Sequence, residues 1–309
     1  MPLTATPRCL ACGASNAVQW ATAQDAEYKT SNERFTLYRC NACGVLFIDP
    51  VPRDRLAEIY PQNYYSFVAQ KDSFVNNIKK RLDGSLFRNI LRTIPGTSLH
   101  ALDVGGGSGW ELSIARDCDP RVKFTQVVDF DPAAAELAKK NGHEYFRGRI
   151  EDFHTDKQFD FVLMLNLIEH VENPLEILKK IAGMLSPQGR VLIKTPNYDT
   201  FDARMFRHNN WGGYHCPRHW VIFTKESFVD IAARAGLSVK QFTYTQGAPF
   251  WASSTLFWLE RLGLVSITKQ RPVMYHPLFP LFGAFFAAID FARKPFAKTS
   301  QMFVVLGKK

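Results

Sequence analysis

No stretch of the 309-residue chain reaches the roughly 18 consecutive apolar residues that a bilayer-spanning helix needs. A spanning helix is therefore not expected. The N-terminus carries no basic segment followed by an apolar core and small residues, so no export leader is expected either. Internal repeats and low-complexity tracts are absent. Charged residues make up only 22% of the chain against 46% hydrophobic ones, the balance of an ordinary globular protein with one large domain or two smaller ones. The net charge is +9, but the Lys and Arg residues are scattered rather than gathered, so nucleic acid is not the expected partner.

The residues Leu102-Asp103-Val104-Gly105-Gly106-Gly107-Ser108-Gly109 carry the most information. An apolar strand, Leu99 to Val104, runs into a turn of nearly pure glycine, and a helix begins near Trp110. Glycine permits positive φ and lets a ligand approach the backbone, and the helix N-terminus behind it offers unpaired N–H groups. No Lys follows the glycines, which excludes a phosphate-binding P-loop. A dinucleotide site places its acidic residue about 20 residues after the glycines. Here Asp103 precedes them, where a carboxylate would repel a pyrophosphate and suits a cationic ligand.

Four of the six cysteines form two knuckles, Cys9-x-x-Cys12-Gly13 and Cys40-x-x-Cys43-Gly44. Without an export leader, paired knuckles read as a four-thiolate Zn²⁺ site rather than disulfides. Four protein ligands leave no open position, so the expected role is structural, in a lobe too small for a core of its own. Cys118 reads as an ordinary cysteine. Helical periodicity with Phe74, Ile78, Leu82, Leu86 and Ile90 four apart predicts an amphipathic helix over 67–94. From Leu99 onward strands and helices alternate, the pattern of a parallel sheet. Val122 to Val128 reads as a strand. It is followed by Asp129, Phe130 and a helix capped by Asp131 and Pro132, with Ala133, Leu137 and Ala138 expected to face inward.

The Asp103-x-Gly105-x-Gly107-x-Gly109 loop resembles that of class I S-adenosylmethionine (SAM) methyltransferases. So does Asn166-Leu167-Ile168-Glu169-His170-Val171-Glu172-Asn173-Pro174, which is similar to a segment of small-molecule methyltransferases that include ubiquinone-pathway O-methyltransferases. The resemblance implies an α/β fold: a Rossmann-like seven-stranded sheet with helices on both faces, plus a small zinc ribbon. It implies SAM as cofactor, held by Asp103, Gly105, Gly106, Gly107 and Gly109, with Asp129 on the ribose and Phe130 beside it. Ile150, Glu151 and Asn166 complete the expected contacts, although Arg149 stands where the family often has an acidic residue at the adenine. Residues 1–50 read as the ribbon, 51–98 as a helical linker and 99–309 as the cofactor-binding domain.

The run Tyr214-His215-Cys216-Pro217-Arg218-His219, followed by Phe223-Thr224, looks like the loop of zinc-containing sugar methyltransferases that carries the catalytic His. A His can take the proton of a hydroxyl as its oxygen attacks a methyl group. By this resemblance His219 is the first candidate for the base and His215 the second, while Glu169 and His170 either act in catalysis or hold the loop. A second zinc site at His215, Cys216 and His219 lacks a fourth ligand. An apolar insertion at 246–300 reads as a lid, a peripheral membrane contact or a homodimer face. The expectation is a cytoplasmic enzyme, peripheral to the membrane under the second of those readings. It would methylate an oxygen or carbon of a small, sugar-like or otherwise hydroxylated acceptor. The alternatives are a SAM-binding relative that catalyses a non-methyl reaction such as a cyclisation, and a nucleic-acid-binding zinc-ribbon methyltransferase. Against the latter, no Asn/Asp-Pro-Pro-Tyr loop follows the strand that ends at Leu165.

Overall fold

The computed structural model describes residues 7–61, 63–64 and 74–309. Gln62, Tyr65 and the 67–73 part of the expected helix lie outside the described residues. Strands β1 (Ala17–Ala23), β2 (Phe35–Cys40) and β3 (Leu46–Asp49) pair antiparallel, with the cysteine knuckles before β1 and between β2 and β3. A short helix α1 (Leu56–Ile59) and a long one, α2 (Phe74–Leu91), lead into the alternating region. On α2 the buried side differs from the stripe expected from sequence. Ile78 and Leu82 are exposed, whereas Phe87, Ile90 and Leu91 enter the core. The reason is electrostatic and steric. Lys79 turns inward to pair with Asp83 and with Glu111, and Gly84 lets the helix lie close to Ile114.

Then follow β4 (Leu99–Val104), α3 (Trp110–Cys118), β5 (Val122–Asp129), α4 (Pro132–Lys140), β6 (Glu144–Arg147), β7 (Phe159–Leu165), α5 (Pro174–Met184) and β8 (Leu185–Pro196). The helix starts have identifiable causes. Asp131 accepts from the Ala133 N–H and Asn173 from the Glu176 N–H, each followed by Pro at the first helical position. On α4 the buried residues are Ala134, Ala135 and Ala138, while Ala133 and Leu137 are exposed. Three alanines on one face bring that helix close to the sheet, and Leu137 falls on the far side. Ser186 to Gly189 sit within β8 as a register shift between the pairs Phe159–Leu185 and Phe161–Arg190.

The chain continues through α6 (Phe201–Met205), β9 (Val221–Ile222), α7 (Lys225–Arg234), β10 (Leu237–Thr245), α8 (Ala248–Arg261), α9 (Phe279–Arg293) and β11 (Gln301–Lys308). The larger sheet has seven strands in the order β10-β11-β8-β7-β4-β5-β6, with β11 antiparallel to both neighbours and the rest parallel. Alternate residues of its strands feed two cores. Phe161 and Leu163 pack with Phe87, Leu112 and Ala138 on one face. Val162 and Met164 pack with Ile177, Leu178, Phe228 and Ile231 on the other. The second core also takes in Cys9, Cys40, Val45 and Phe47, so the cysteine lobe is packed directly onto the sheet.

The chain turns back at β4, which has β5 on one side and β7 on the other. At such a switch point the loops after the strand ends splay apart and leave a crevice for a ligand. A second, four-stranded sheet has the order β1-β2-β3-β9. Its last strand belongs to the histidine-rich segment, so the N-terminal lobe and that segment are joined by strand pairing between Leu46–Phe47 and Val221–Ile222.

Candidate active site

The loop after β4 is shaped by what its glycines leave out. A Cβ on Gly106 would sit 2.4 Å from Cγ of Asp103, and one on Gly109 would sit 2.3 Å from the His143 ring. The Asp103 side chain is thus tucked under the loop, 2% exposed, and its Oδ2 accepts no hydrogen bond among the described residues. Burial, with the charges of Glu111 and Asp129 nearby, holds its carboxyl well above the usual range. A buried carboxylate with an unpartnered oxygen beside a glycine turn fits a cationic group such as a sulfonium or an ammonium. His143 supports Gly109 from behind, bonded to Ser113 Oγ at 2.9 Å and to Thr125 Oγ1 at 2.8 Å, and burial lowers its pKa to about 4.

Asp129 closes the end of β5. Its Oδ2 accepts from the Gly107 N–H at 2.9 Å and its Oδ1 from the Asp131 N–H at 3.0 Å, which fixes the carboxylate at the mouth of the glycine loop. Phe130 beside it is 57% exposed. The next strand end adds buried Ile150, and the Gly148 N–H bonds to the Asp129 carbonyl. Glu151 is engaged by Arg149 at 2.6 Å on the surface. Asn166 ends β7 in the left-handed region (φ 54°), which Asn tolerates better than most residues, and its Oδ1 accepts from Gln301. Asp103, the glycines, Asp129, Ile150 and Asn166 therefore lie at four neighbouring loops on one edge of the sheet.

The histidine segment abuts this crevice. A Cβ on Gly105 would lie 3.0 Å from Leu167, and the loop containing Leu167 continues into Glu169 and His170. The His170 and His219 ring centroids are 4.7 Å apart, and those of His215 and His219 4.9 Å. Glu169 is fully buried, accepts from Thr195 Oγ1 at 3.1 Å, and is pushed up to about 8 by burial. Its other oxygen lies 3.9 Å from His219 Nε2. His219 bonds the Gly213 carbonyl through Nδ1, and burial holds it well below the usual histidine range. His170 Nδ1 lies 3.0 Å from the Arg218 carbonyl and 3.1 Å from the Tyr60 hydroxyl, and burial lowers it to about 3.

His215 has a different environment. Its Nδ1 lies 2.5 Å from Glu27 Oε2, and its Nε2 3.1 Å from the Tyr64 hydroxyl. With Glu27 as a carboxylate, Nδ1 carries the proton and donates to it, and Nε2 accepts from Tyr64. The backbone of His215 is left-handed (φ 37°), an uncommon state for a non-glycine residue, which is held in place by its surroundings. Arg218, 0% exposed, donates to both oxygens of Asp25 at 3.2 and 2.9 Å and lies 4.5 Å over the Tyr28 ring. Burial opposes ionisation of Asp25, yet the Arg218 charge holds its carboxyl below the usual value. Insertion residues wall this segment. The Gly212 N–H bonds Ser254 Oγ, and the Val273 N–H bonds the Glu27 carbonyl.

The four knuckle cysteines converge, with Sγ–Sγ distances of 3.6 Å for Cys9–Cys43 and for Cys12–Cys40. Tetrahedral coordination with Zn–S of about 2.3 Å requires sulfurs about 3.8 Å apart. Burial and the neighbouring thiols push Cys12 up to about 11, so four thiolates here call for a compensating dication. The residues fit a structural zinc ion. Cys216 is buried, and burial, with the Asp25 and Glu27 charges nearby, holds its thiol pKa well above the usual value; it is not part of that cluster.

Sequence reasoning missed Asp25, Glu27 and His143. Asp25 and Glu27 lie between the cysteine knuckles without any motif, and 188 residues separate Glu27 from His215. His143 follows the Gly142 helix end, and nothing local marks it as the support for a glycine 34 positions earlier.

A family model described as a methyltransferase domain matches residues 78–241. Among curated proteins, the chain is 38% identical over 104 residues to a ubiquinone biosynthesis O-methyltransferase of Rickettsia felis, covering 33% of this chain and 43% of that protein. It is 33% identical over 110 residues to one of Bradyrhizobium sp., covering 33% and 41%. The chain thus spans less than half the length of these curated relatives. Among solved structures it resembles coclaurine N-methyltransferase bound to N-methylheliamine and SAH, at 15% identity with TM-score 0.52, over 83% of this chain and 82% of that one. It also resembles a candidate sarcosine dimethylglycine methyltransferase from Galdieria sulphuraria, at 12% identity with TM-score 0.51, over 75% and 87%. These structural likenesses are likenesses of fold.

Proposed function

The chain belongs to the methyltransferase domain family, and we propose that it transfers the methyl group of SAM to a hydroxyl oxygen of a small acceptor, with His215 as the general base. The name of the curated relatives, O-methyltransferase, supports oxygen as the acceptor atom. A ring-shaped acceptor, sugar or phenol, suits the Tyr64 ring beside His215 and the Tyr60 ring that stands edge-on to it at 4.9 Å. The Glu27–His215 contact carries the proposal, because a carboxylate on Nδ1 orients the ring and stabilises the imidazolium that forms when Nε2 takes a proton. His219, the first candidate by sequence, is deeper. Its Nδ1 is tied to a backbone carbonyl and its Nε2 faces Glu169, which suits a residue that holds the loop.

When bound, SAM supplies an activated methyl group, whose bond to sulfur breaks with the electron pair passing to sulfur as the new bond to oxygen forms. The protein's tasks are then alignment and removal of one proton. Asp103 would face the cationic part of the cofactor, and Asp129, held by the Gly107 and Asp131 N–H groups, would accept the ribose hydroxyls. The acceptor hydroxyl gives its proton to the Tyr64 hydroxyl oxygen as Tyr64 passes its own proton to His215 Nε2, to which it is already bonded. Glu27 takes up the positive charge on the far side of the ring.

The test is SAM-dependent mass gain across a panel of phenols and sugar nucleotides with the full chain. A gain of one methyl group is expected. His215→Ala should lower kcat by roughly 10²- to 10⁴-fold while leaving SAM affinity intact. Glu27→Gln should lower kcat, because the imidazolium loses its carboxylate partner. Full turnover in His215→Ala would remove the base assignment. A substrate converted without gain of a methyl group would replace methyl transfer by another reaction on the same fold.

A further inference from the structure

We propose that the outward face of α9 docks onto the surface of an anionic lipid bilayer. From Phe279 to Ala292 the only charged residue is Asp290, which is 1% exposed and accepts from the Gly247 N–H and from Arg293 Nε, both at 2.7 Å. On the opposite side Leu281 is 62% exposed, Phe285 58%, Ile289 37% and Phe291 82%. With Ala284, Ala288 and Ala292, these residues make an apolar stripe at helical spacing that faces solvent. This reverses the usual surface helix, which turns its charges outward.

The inner side of α9 is already used. Phe286 stacks on Trp251 with centroids 4.9 Å apart, and Phe279 and Phe282 pack against the cluster of Leu256, Phe257 and Val273. The apolar surface extends past the helix to Phe296, 90% exposed. It also reaches α6, where Phe201 is 64% and Met205 58% exposed, and the Phe201 ring lies 6.2 Å from Trp251.

Charge selects the occupant. Residues 246–300 hold six Lys and Arg against two acidic residues. Both acidic side chains are engaged internally, Asp290 as above and Glu260 by Lys29 at 2.8 Å. Arg261, Lys269, Arg271 and Lys294 are exposed and form no ion pair among the described residues. An apolar stripe followed closely by exposed Lys294, on an insertion whose Arg261, Lys269 and Arg271 are likewise exposed and without an ion pair among the described residues, complements anionic headgroups over an acyl layer. A second copy of the chain fits less well, because symmetric pairing would bring together two insertions with an excess of basic residues on molecules of net charge +9 each. With 15 residues, and with no helix among the described residues long and apolar enough to cross a membrane, α9 would lie in the interface plane.

Flotation of the full chain with vesicles of phosphatidylcholine, with and without phosphatidylglycerol, tests this without reference to methyl transfer. The chain should float with the anionic vesicles, and less so at high salt. The double variant F285S/F291S should lose about tenfold or more of the bound fraction. K294E should reduce it several-fold. All three side chains point to solvent, so circular dichroism and thermal unfolding should be unchanged. A chain that stays unbound on anionic vesicles, or a double variant that floats as well as the parent, would overturn the proposal. So would a concentration-dependent dimer that F285S/F291S dissolves and that does not float, since this would give the face to a second copy.

Discussion

Gly106 and Gly107 are neighbours in the loop after β4, and a methyl group added to each meets opposite surroundings. At Gly106 it would press into the buried Asp103 carboxylate at 2.4–2.5 Å, whereas at Gly107 nothing lies within 4 Å. Gly106→Ala should displace Asp103 and destabilise the fold by about 1–3 kcal/mol. Gly107→Ala pays only the left-handed backbone cost at φ 52°, about 1–2 kcal/mol, and puts its methyl group where a ligand would lie. Isothermal titration with SAM and thermal unfolding should therefore show weakened binding in both variants, with the larger loss of stability in Gly106→Ala. Wild-type SAM affinity in Gly107→Ala would show that the cofactor does not use the open side of this loop. The loop itself was legible in the sequence, because the pattern Asp103-x-Gly-x-Gly-x-Gly is local. The role of Gly109, which makes room for His143, was not, because that contact joins two separate turns.

Among the elements, β9 has the largest consequence for its length. It is two residues long, yet it joins the cysteine sheet to the histidine segment, and the Ile48 N–H adds a bond to the Trp220 carbonyl at 3.0 Å. The Trp220 N–H in turn bonds the Glu169 carbonyl at 2.8 Å. A metal-bound knuckle between β2 and β3 would therefore position the loop that carries His215. Cys40→Ser should lose the bound zinc, measured by atomic emission, and raise hydrogen exchange at Val221 and Ile222. SAM binding should persist, because its loops hang from the other sheet. Unchanged exchange at β9 in a zinc-free variant would show that the lobe does not support the loop. Strand–helix alternation and caps such as Asp131–Pro132 are local and predicted a parallel sheet, while its seven strands came from the family resemblance. The rotation of α2 was not predictable, because Glu111, one of the two carboxylates that Lys79 pairs with, lies on another helix.

Across the whole molecule, buried titratable groups set the pH range of stability. His143 and His170, lowered to about 4 and about 3, and the more deeply depressed His219 are neutral in the folded state. The unfolded chain binds their protons near pH 6.5. Stability therefore falls as pH drops below about 6.5, and this loss levels off only below the folded-state values. Glu169, raised to about 8, works in the other direction, since the folded state holds its proton and that contribution is lost as pH rises toward 8. The three histidines act on the acid limb, and the raised carboxyls of Glu169 and Asp103 act on the alkaline limb, so the unfolding midpoint should peak near neutrality and fall more steeply toward acid. His143→Gln should flatten the acid limb by about one proton of linkage, read as the slope of unfolding free energy against pH. An unchanged slope would mean that His143 titrates alike in both states.

Sequence alone determined the sheet, the glycine loop, the convergence of four cysteines and the family, because each is written within a few turns of chain and repeats the rules of local backbone geometry and hydrophobic period. Tertiary structure decided which histidine meets a carboxylate, since Glu27 reaches His215 only once β3 and β9 pair. It also decided that α9 turns its single charge inward and its phenylalanines out. No local pattern records such choices, because each depends on which surface arrives opposite it when distant segments pack.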